Sequence, residues 1–205
     1  MVFICLDTET TGLELETHCL WQVSGIIHDG NIEEKFDFKM KPFRGEPISS
    51  GAFIKTGMTQ EMLDSLSDQK EAFDQFNALI QRHLYKEDGT HEKAFLVGYN
   101  IGFDVDFLCQ WFEHNGHHHL FRSYFNYPYL DVMTLAIFYL IAERPYMKNF
   151  KLTTVYEKVF GHEFEDAHNG MADSIATWEL FTKISEVLMK NRFEVEHPKI
   201  KVRKV

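Results

Sequence analysis

Val2-Phe3-Ile4-Cys5-Leu6-Asp7-Thr8-Glu9-Thr10-Thr11-Gly12-Leu13 joins a short apolar run to a pair of acids. Residues 2–7 read as a buried strand, since the run is short, apolar and β-branched. Side chains alternate along a strand, so Asp7 and Glu9 share one face, about 7 Å apart. Two carboxylates side by side at a strand end repel each other unless a cation sits between them. Oxygen-only ligation favours a hard divalent ion such as Mg²⁺ or Mn²⁺. Read alone, the pair is also compatible with a solvated strand end carrying two unrelated acids.

Outward from this strand, residues 19–28 and 32–39 read as two more, joined by the hairpin signal Asp29-Gly30-Asn31. Residues 42–57 hold Pro42, Gly45, Pro47, Gly51 and Gly57 and read mostly as loop. Thr59 can cap a short helix over 60–65. Apolar positions at 72, 73, 76, 79, 80 and 84 predict a helix over 70–84. Residues 86–93 are a polar loop, and Ala94 to Tyr99 reads as a fourth strand. A helix over 103–114 stops at Asn115-Gly116. Residues 128–142 start as a short strand and become a helix. Further helices are expected over 151–160 and 172–190. A hairpin followed by alternating strands and helices points to an α/β fold, a mixed five-stranded sheet with helices on both faces. One domain over residues 1–190 and a tail over 191–205 are expected, with no internal repeat or linker.

Two more segments place acids at helix starts. Asn100-Ile101-Gly102-Phe103-Asp104-Val105-Asp106-Phe107-Leu108 opens a helix directly after the fourth strand. Phe103 and Phe107 share a face and anchor it, which leaves Asp104 beside them at the mouth of the sheet. Asp104 and Asp106 would equally favour the helix dipole. His168-Asn169-Gly170-Met171-Ala172-Asp173-Ser174-Ile175-Ala176-Thr177 opens the last helix in the same way. Asp173 faces inward if Ala172, Ala176 and Leu180 pack on the sheet. A single loop histidine such as His168 is by itself compatible with a surface position.

Taken together, the segments resemble the motifs of the DEDDh 3′→5′ exonucleases, which include polymerase proofreading subunits, ribonuclease T and oligoribonuclease within the ribonuclease H-like superfold. Asp-x-Glu-x-Thr-Gly is matched by Asp7, Glu9, Thr11 and Gly12. Asn-x-x-Phe-Asp-x-x-Phe-Leu is matched by Asn100, Phe103, Asp104, Phe107 and Leu108. His-x-x-x-x-Asp followed by Ala-Thr is matched by His168, Asp173, Ala176 and Thr177. Ile54 to Thr59 resembles the family's loop before its first helix, and Tyr129 to Leu135 resembles the start of the helix before the third motif. The related branch with a tyrosine four residues before the last acid is excluded by Asn169. Gly170 stands where members often carry Ala, a change expected to loosen the loop that holds His168.

The resemblance implies that Asp7, Glu9, Asp104 and Asp173 bind two divalent cations, Mg²⁺ or Mn²⁺, and that His168 is the general base. It implies that Thr8, Thr10, Leu13, Asn100 and Phe103 hold the 3′ end of single-stranded DNA or RNA, and that nucleoside 5′-monophosphates are released. A polymerase or a second copy of the chain are the partners it suggests. A non-catalytic adaptor that keeps the fold is the competing reading, and the full set of five catalytic-type residues argues against it.

Composition narrows the rest. The net charge of −10 argues against binding nucleic acid through a broad basic face, though not against handling phosphate through metals. The 19 Phe predict an aromatic-rich core. No run approaches the roughly 18 apolar residues of a membrane span, and residues 1–6 lack the features of a signal peptide. Cys5, Cys19 and Cys109 form no CxxC, so a reduced, cytoplasmic setting is the simplest expectation. His114, His117, His118 and His119 crowd what reads as a solvated helix end and loop. The basic alternation Lys199 to Val205 reads as a frayed tail or an edge strand.

Overall fold

The first strand runs further than residues 2–7, through the polar Thr8-Glu9-Thr10. A computed structural model of the chain describes residues 1–30, 32–43, 48–164 and 169–191, and β1 spans Val2–Thr10. Glu9 therefore lies inside the strand with Asp7 rather than beyond its end. β1 pairs antiparallel with β2 (Leu20–His28), which pairs antiparallel with β3 (Glu33–Lys39). On its other side β1 pairs parallel with β4 (Ala94–Gly98), and β4 pairs parallel with the two-residue β5 (Leu130–Asp131). The order β3-β2-β1-β4-β5 is the mixed five-stranded sheet expected from the sequence.

Helices cover both faces. α1 (Ser50–Thr56), α2 (Gln60–Asp64) and α3 (Gln69–Leu84) precede β4, and α4 (Gly102–His114) and α5 (His118–Tyr124) follow it. α6 (Val132–Tyr139), α7 (Leu152–Phe160) and α8 (Gly170–Asn191) complete the described chain. Even-numbered β1 residues Ile4 and Leu6 pack with Phe73 and Phe76 of α3 and Phe107 and Trp111 of α4. Odd-numbered Cys5 packs with Val132 and Ala136 of α6, Val155 of α7, and Ala176, Leu180 and Ile184 of α8. The first core is the aromatic-rich one: the Phe73 ring meets Trp111 edge-on at 5.2 Å and Phe112 at 5.0 Å.

Three local readings need correction. Residues 50–56, read as loop because of their glycines, form α1. Ser49 caps it by accepting from the Ala52 N–H at 3.2 Å, and the Ser49 N–H donates to the Thr11 carbonyl at 2.7 Å. The tether to Thr11, just past β1 and 38 residues earlier, is invisible to local propensity. It also places Ile54 to Thr56 in the end of a helix rather than in a loop. His118 and His119, read as part of a histidine-rich loop, instead open α5, held by Phe121 and Tyr124 in the first core. The last helix begins at Gly170, two residues earlier than expected. The tail over 192–205 lies outside the described residues. Among those residues no helix is long and apolar enough to cross a membrane.

Candidate active site

The parallel β1–β4 ladder ends at Cys5 and Val97, while β1 continues for five residues. Beyond that point a side chain takes the place of a strand. The Thr8 N–H donates to Asp104 Oδ1 at 2.9 Å and the Thr8 hydroxyl donates to the same oxygen at 2.8 Å. Asp104 is only 5% exposed, so these charge-assisted bonds count at nearly full strength. They pin the first turn of α4 to the strand residue lying between Asp7 and Glu9. The β1–β2 register then shifts between Glu9 and Thr10, an irregularity that re-aims the side chains around it.

After β1 the chain turns tightly. A Cβ on Gly12 would lie 2.3 Å from the His18 ring, so the motif glycine answers to close packing. Thr11 holds the same turn through its N–H to the Cys19 carbonyl at 3.0 Å. Thr10 donates its hydroxyl to the Gly12 carbonyl at 2.7 Å. The turn delivers Leu13 to the surface, 77% exposed. A cleft of about 320 Å³ opens there, lined by Thr8, Glu9, Thr10, Leu13 and Phe103 together with Ser49 and Ala52 of the α1 start. Its size falls within the range of small-ligand sites. Four of the five residues expected to hold substrate thus surround one space. The fifth, Asn100, does not line it. Asn100 is exposed on the β4–α4 turn with φ +61°, a conformation asparagine tolerates well. Its N–H donates to Asp131 Oδ1 at 2.8 Å, and Asp131 also caps α6. Ser49 and Ala52 were missed because α1 was read as loop.

The start of α8 approaches from the opposite face. A Cβ on Gly170 would stand 2.6 Å from Ser24 Oγ and 3.4 Å from Asp7 Oδ2. A side chain at position 170 would therefore crowd the Ser24 hydroxyl on β2, a steric contact not foreseen from the sequence. Ser174 ties the same turn down: its hydroxyl donates to the Ser24 carbonyl at 3.2 Å, and the Cys5 thiol donates to its carbonyl at 3.4 Å. Asp173, half-buried, lies between these anchors in the first turn of α8. Ala176 and Leu180 form the packed face as expected, whereas Ala172 is only half-buried. His168, and with it the expected looseness of its loop, lies outside the described residues.

The field at this end of the sheet is negative. The buried Cys5 thiol is pushed well above its ordinary range, first by burial and then by the charges of Asp7 and Asp104. Among the described residues, no three Asp, Glu, His or Cys side chains are drawn together tightly enough to hold an ion as they stand. The donor set nonetheless suits one kind of ligand. Asp7, Glu9, Asp104 and Asp173 offer only carboxylate oxygens, from a strand and two helix starts, which is the chemistry of hard divalent cations.

A mixed sheet with helices on both faces and acids on β1, α4 and α8 is the ribonuclease H-like architecture. The chain belongs to the RNase T exonuclease family, whose model matches residues 4–181. Among curated proteins it is similar to the PolC-type DNA polymerase III of Pediococcus pentosaceus, 29% identical over 87% of this chain and 11% of that protein. The Thermotoga petrophila PolC-type enzyme is 28% identical over 92% of this chain and 12% of that protein. The chain thus spans about a tenth of the length of these relatives. Among solved structures, the zinc-bound Escherichia coli ExoI–ssDNA complex superposes with a TM-score of 0.72 at 21% identity, covering 94% of this chain and 42% of that one. The product-bound exonuclease I structure gives a TM-score of 0.69 at 21% identity over 94% and 46%. At these identities the likeness is one of fold.

Proposed function

We propose that the chain is a metal-dependent 3′→5′ exonuclease that removes nucleoside 5′-monophosphates from single-stranded nucleic acid, with DNA favoured. The observation that carries this reading is the clamp of Asp104 onto Thr8, which fixes one acid-bearing helix between the two acids of β1. DNA is favoured because the relatives are DNA polymerases and the structural neighbour is described with ssDNA. The domain is proposed to cover residues 1–190, in a soluble cytoplasmic setting, with a polymerase or a second copy as candidate partner.

In this reading Asp7, Glu9, Asp104 and Asp173 hold two divalent cations, Mg²⁺ or Mn²⁺. When bound, these ions would acidify a water and offset the charge that builds on the phosphoryl oxygens. Leu13 and Phe103 grip the terminal base by apolar contact, and Thr8 and Thr10 line the cleft beside the sugar-phosphate. His168, neutral, accepts the proton of the attacking water.

The test is a time course on 3′- and 5′-labelled single-stranded DNA and RNA in Mg²⁺, Mn²⁺ or EDTA. Stepwise shortening from the 3′ end that stops in EDTA is expected. No cleavage of either polymer by folded, metal-loaded protein would overturn the reading and favour a binding module.

A further inference from the structure

A second cleft lies at the opposite end of the sheet. It measures about 600 Å³ and is lined by Lys93, Arg122, Phe125, Asn126, Tyr127 and Tyr129 among others. Two stretches of chain build it, Lys93 before β4 and residues 121–129. The Asn126 N–H donates to the Ala94 carbonyl at 2.8 Å, and its side-chain amide donates to the Lys93 carbonyl at 2.9 Å. Ala94 pairs with Val2, at the start of β1. The acids sit five to seven residues further along that strand, roughly 17 Å or more away. This cleft is therefore separate from the candidate active site.

Its chemistry is the reverse of the chain's overall character. In a protein of net charge −10, its lining holds two cations and no acid. Neither Lys93 nor Arg122 joins any ion pair found among the described residues. Lys93 Nζ donates to the Arg122 carbonyl at 2.6 Å, which holds the ammonium beside the guanidinium residue. Tyr127 is 85% exposed, and its ring stands at 5.6 Å and 89° to that of Tyr129. Phe125, buried, forms part of the floor. Cations for phosphates set among open aromatic faces for bases are the means by which single strands are held without regard to sequence.

We propose that this groove is a second binding site for single-stranded nucleic acid, one that grips the strand away from its hydrolysed end. It rests on the exonuclease reading for the strand it serves, but its binding is measurable without turnover. Arg122 and Lys93 contact phosphates, and Tyr127 stacks on a base.

The test uses the full chain and fluorescein-labelled dT20 in EDTA, read by anisotropy across a salt titration. Arg122→Ala and Tyr127→Ala change exposed side chains, and thermal melts check their folding. Each is expected to weaken dT20 binding about tenfold, and Arg122→Ala to flatten the log–log salt slope by about 0.7. In Mg²⁺, KM for dT20 should rise with kcat unchanged, while KM for dT3 stays put. Affinity within twofold of the parent chain in both variants would overturn the proposal. So would equal loss on dT3 and dT20, because the residues would then act on the catalytic cleft. Weakened dT20 binding in a protein that cleaves nothing would uphold the groove and sink the exonuclease reading instead.

Discussion

The two ends of the β1–β4 pair differ in the sign of what they collect. At the C-terminal end, where β1 outlasts β4, the starts of α4 and α8 bring in carboxylates. At the N-terminal end, the loop before β4, α5 and the segment after α5 bring in Lys93, Arg122 and tyrosines. Parallel strands naturally gather helix N-termini at their C-terminal ends, so the acid end follows from topology. The basic end does not. It depends on which side chains happen to line a crossover, and it owes nothing to the sheet beyond a place to stand. One end is thus expected to answer to metal and the other to salt.

The largest expected effect comes from breaking the acid end alone. Asp7→Asn should lower turnover on the order of 10²–10³-fold or more, with an unchanged melting transition and with dT20 still bound in EDTA. Retained turnover would remove Asp7 from the site. Next in size is pH. If neutral His168 is the base, protonation disables it, so the rate should fall as the medium is made more acidic. A flat profile with chemistry rate-limiting would end that assignment.

Smaller effects sharpen how the acid end is assembled. Gly170→Ala forces a methyl to within 2.6 Å of Ser24 Oγ, and such overpacking costs about 1–3 kcal/mol. Urea unfolding should show that loss, and adding Ser24→Ala should restore more than half of it. Additive losses would mean the two positions do not meet. Thr8→Val removes one of two donors to Asp104 Oδ1 and should cost about 1 kcal/mol. Its effect on kcat should exceed its effect on KM, because the cleft wall keeps its shape.

Much of the acid end is legible in the sequence because each acid travels with local context: an apolar run before Asp7, paired phenylalanines around Asp104, small residues after Asp173. What could not be read depends on contacts across the chain. Ser24 and Gly170 are 146 residues apart, and only the folded distance between them shows the crowding a side chain at 170 would meet. α1 hides in a glycine- and proline-bearing stretch because its anchor is the Thr11 carbonyl. The register shift at Glu9 and Thr10 leaves no mark in an unbroken run of threonines and acids. The groove draws on residues 93, 122 and 127, none notable in its own segment. Asn100 shows another limit: the resemblance implies a binding role for it, while its left-handed turn and the bond of its N–H to Asp131 are features only the structure shows.

The clamp on Thr8 has a consequence for how inactive forms of this protein should be made. Where β1 runs past the end of β4, its edge would otherwise present unsatisfied amides, the kind of border along which separate chains zip together. Asp104 closes that border as a stopper. Replacing it with alanine would remove a charge and uncork an edge in one stroke, so a dead Asp104→Ala enzyme that clumps would say little about chemistry. A silent variant meant for trapping a bound strand is better made at Asp7, whose loss leaves the stopper in place.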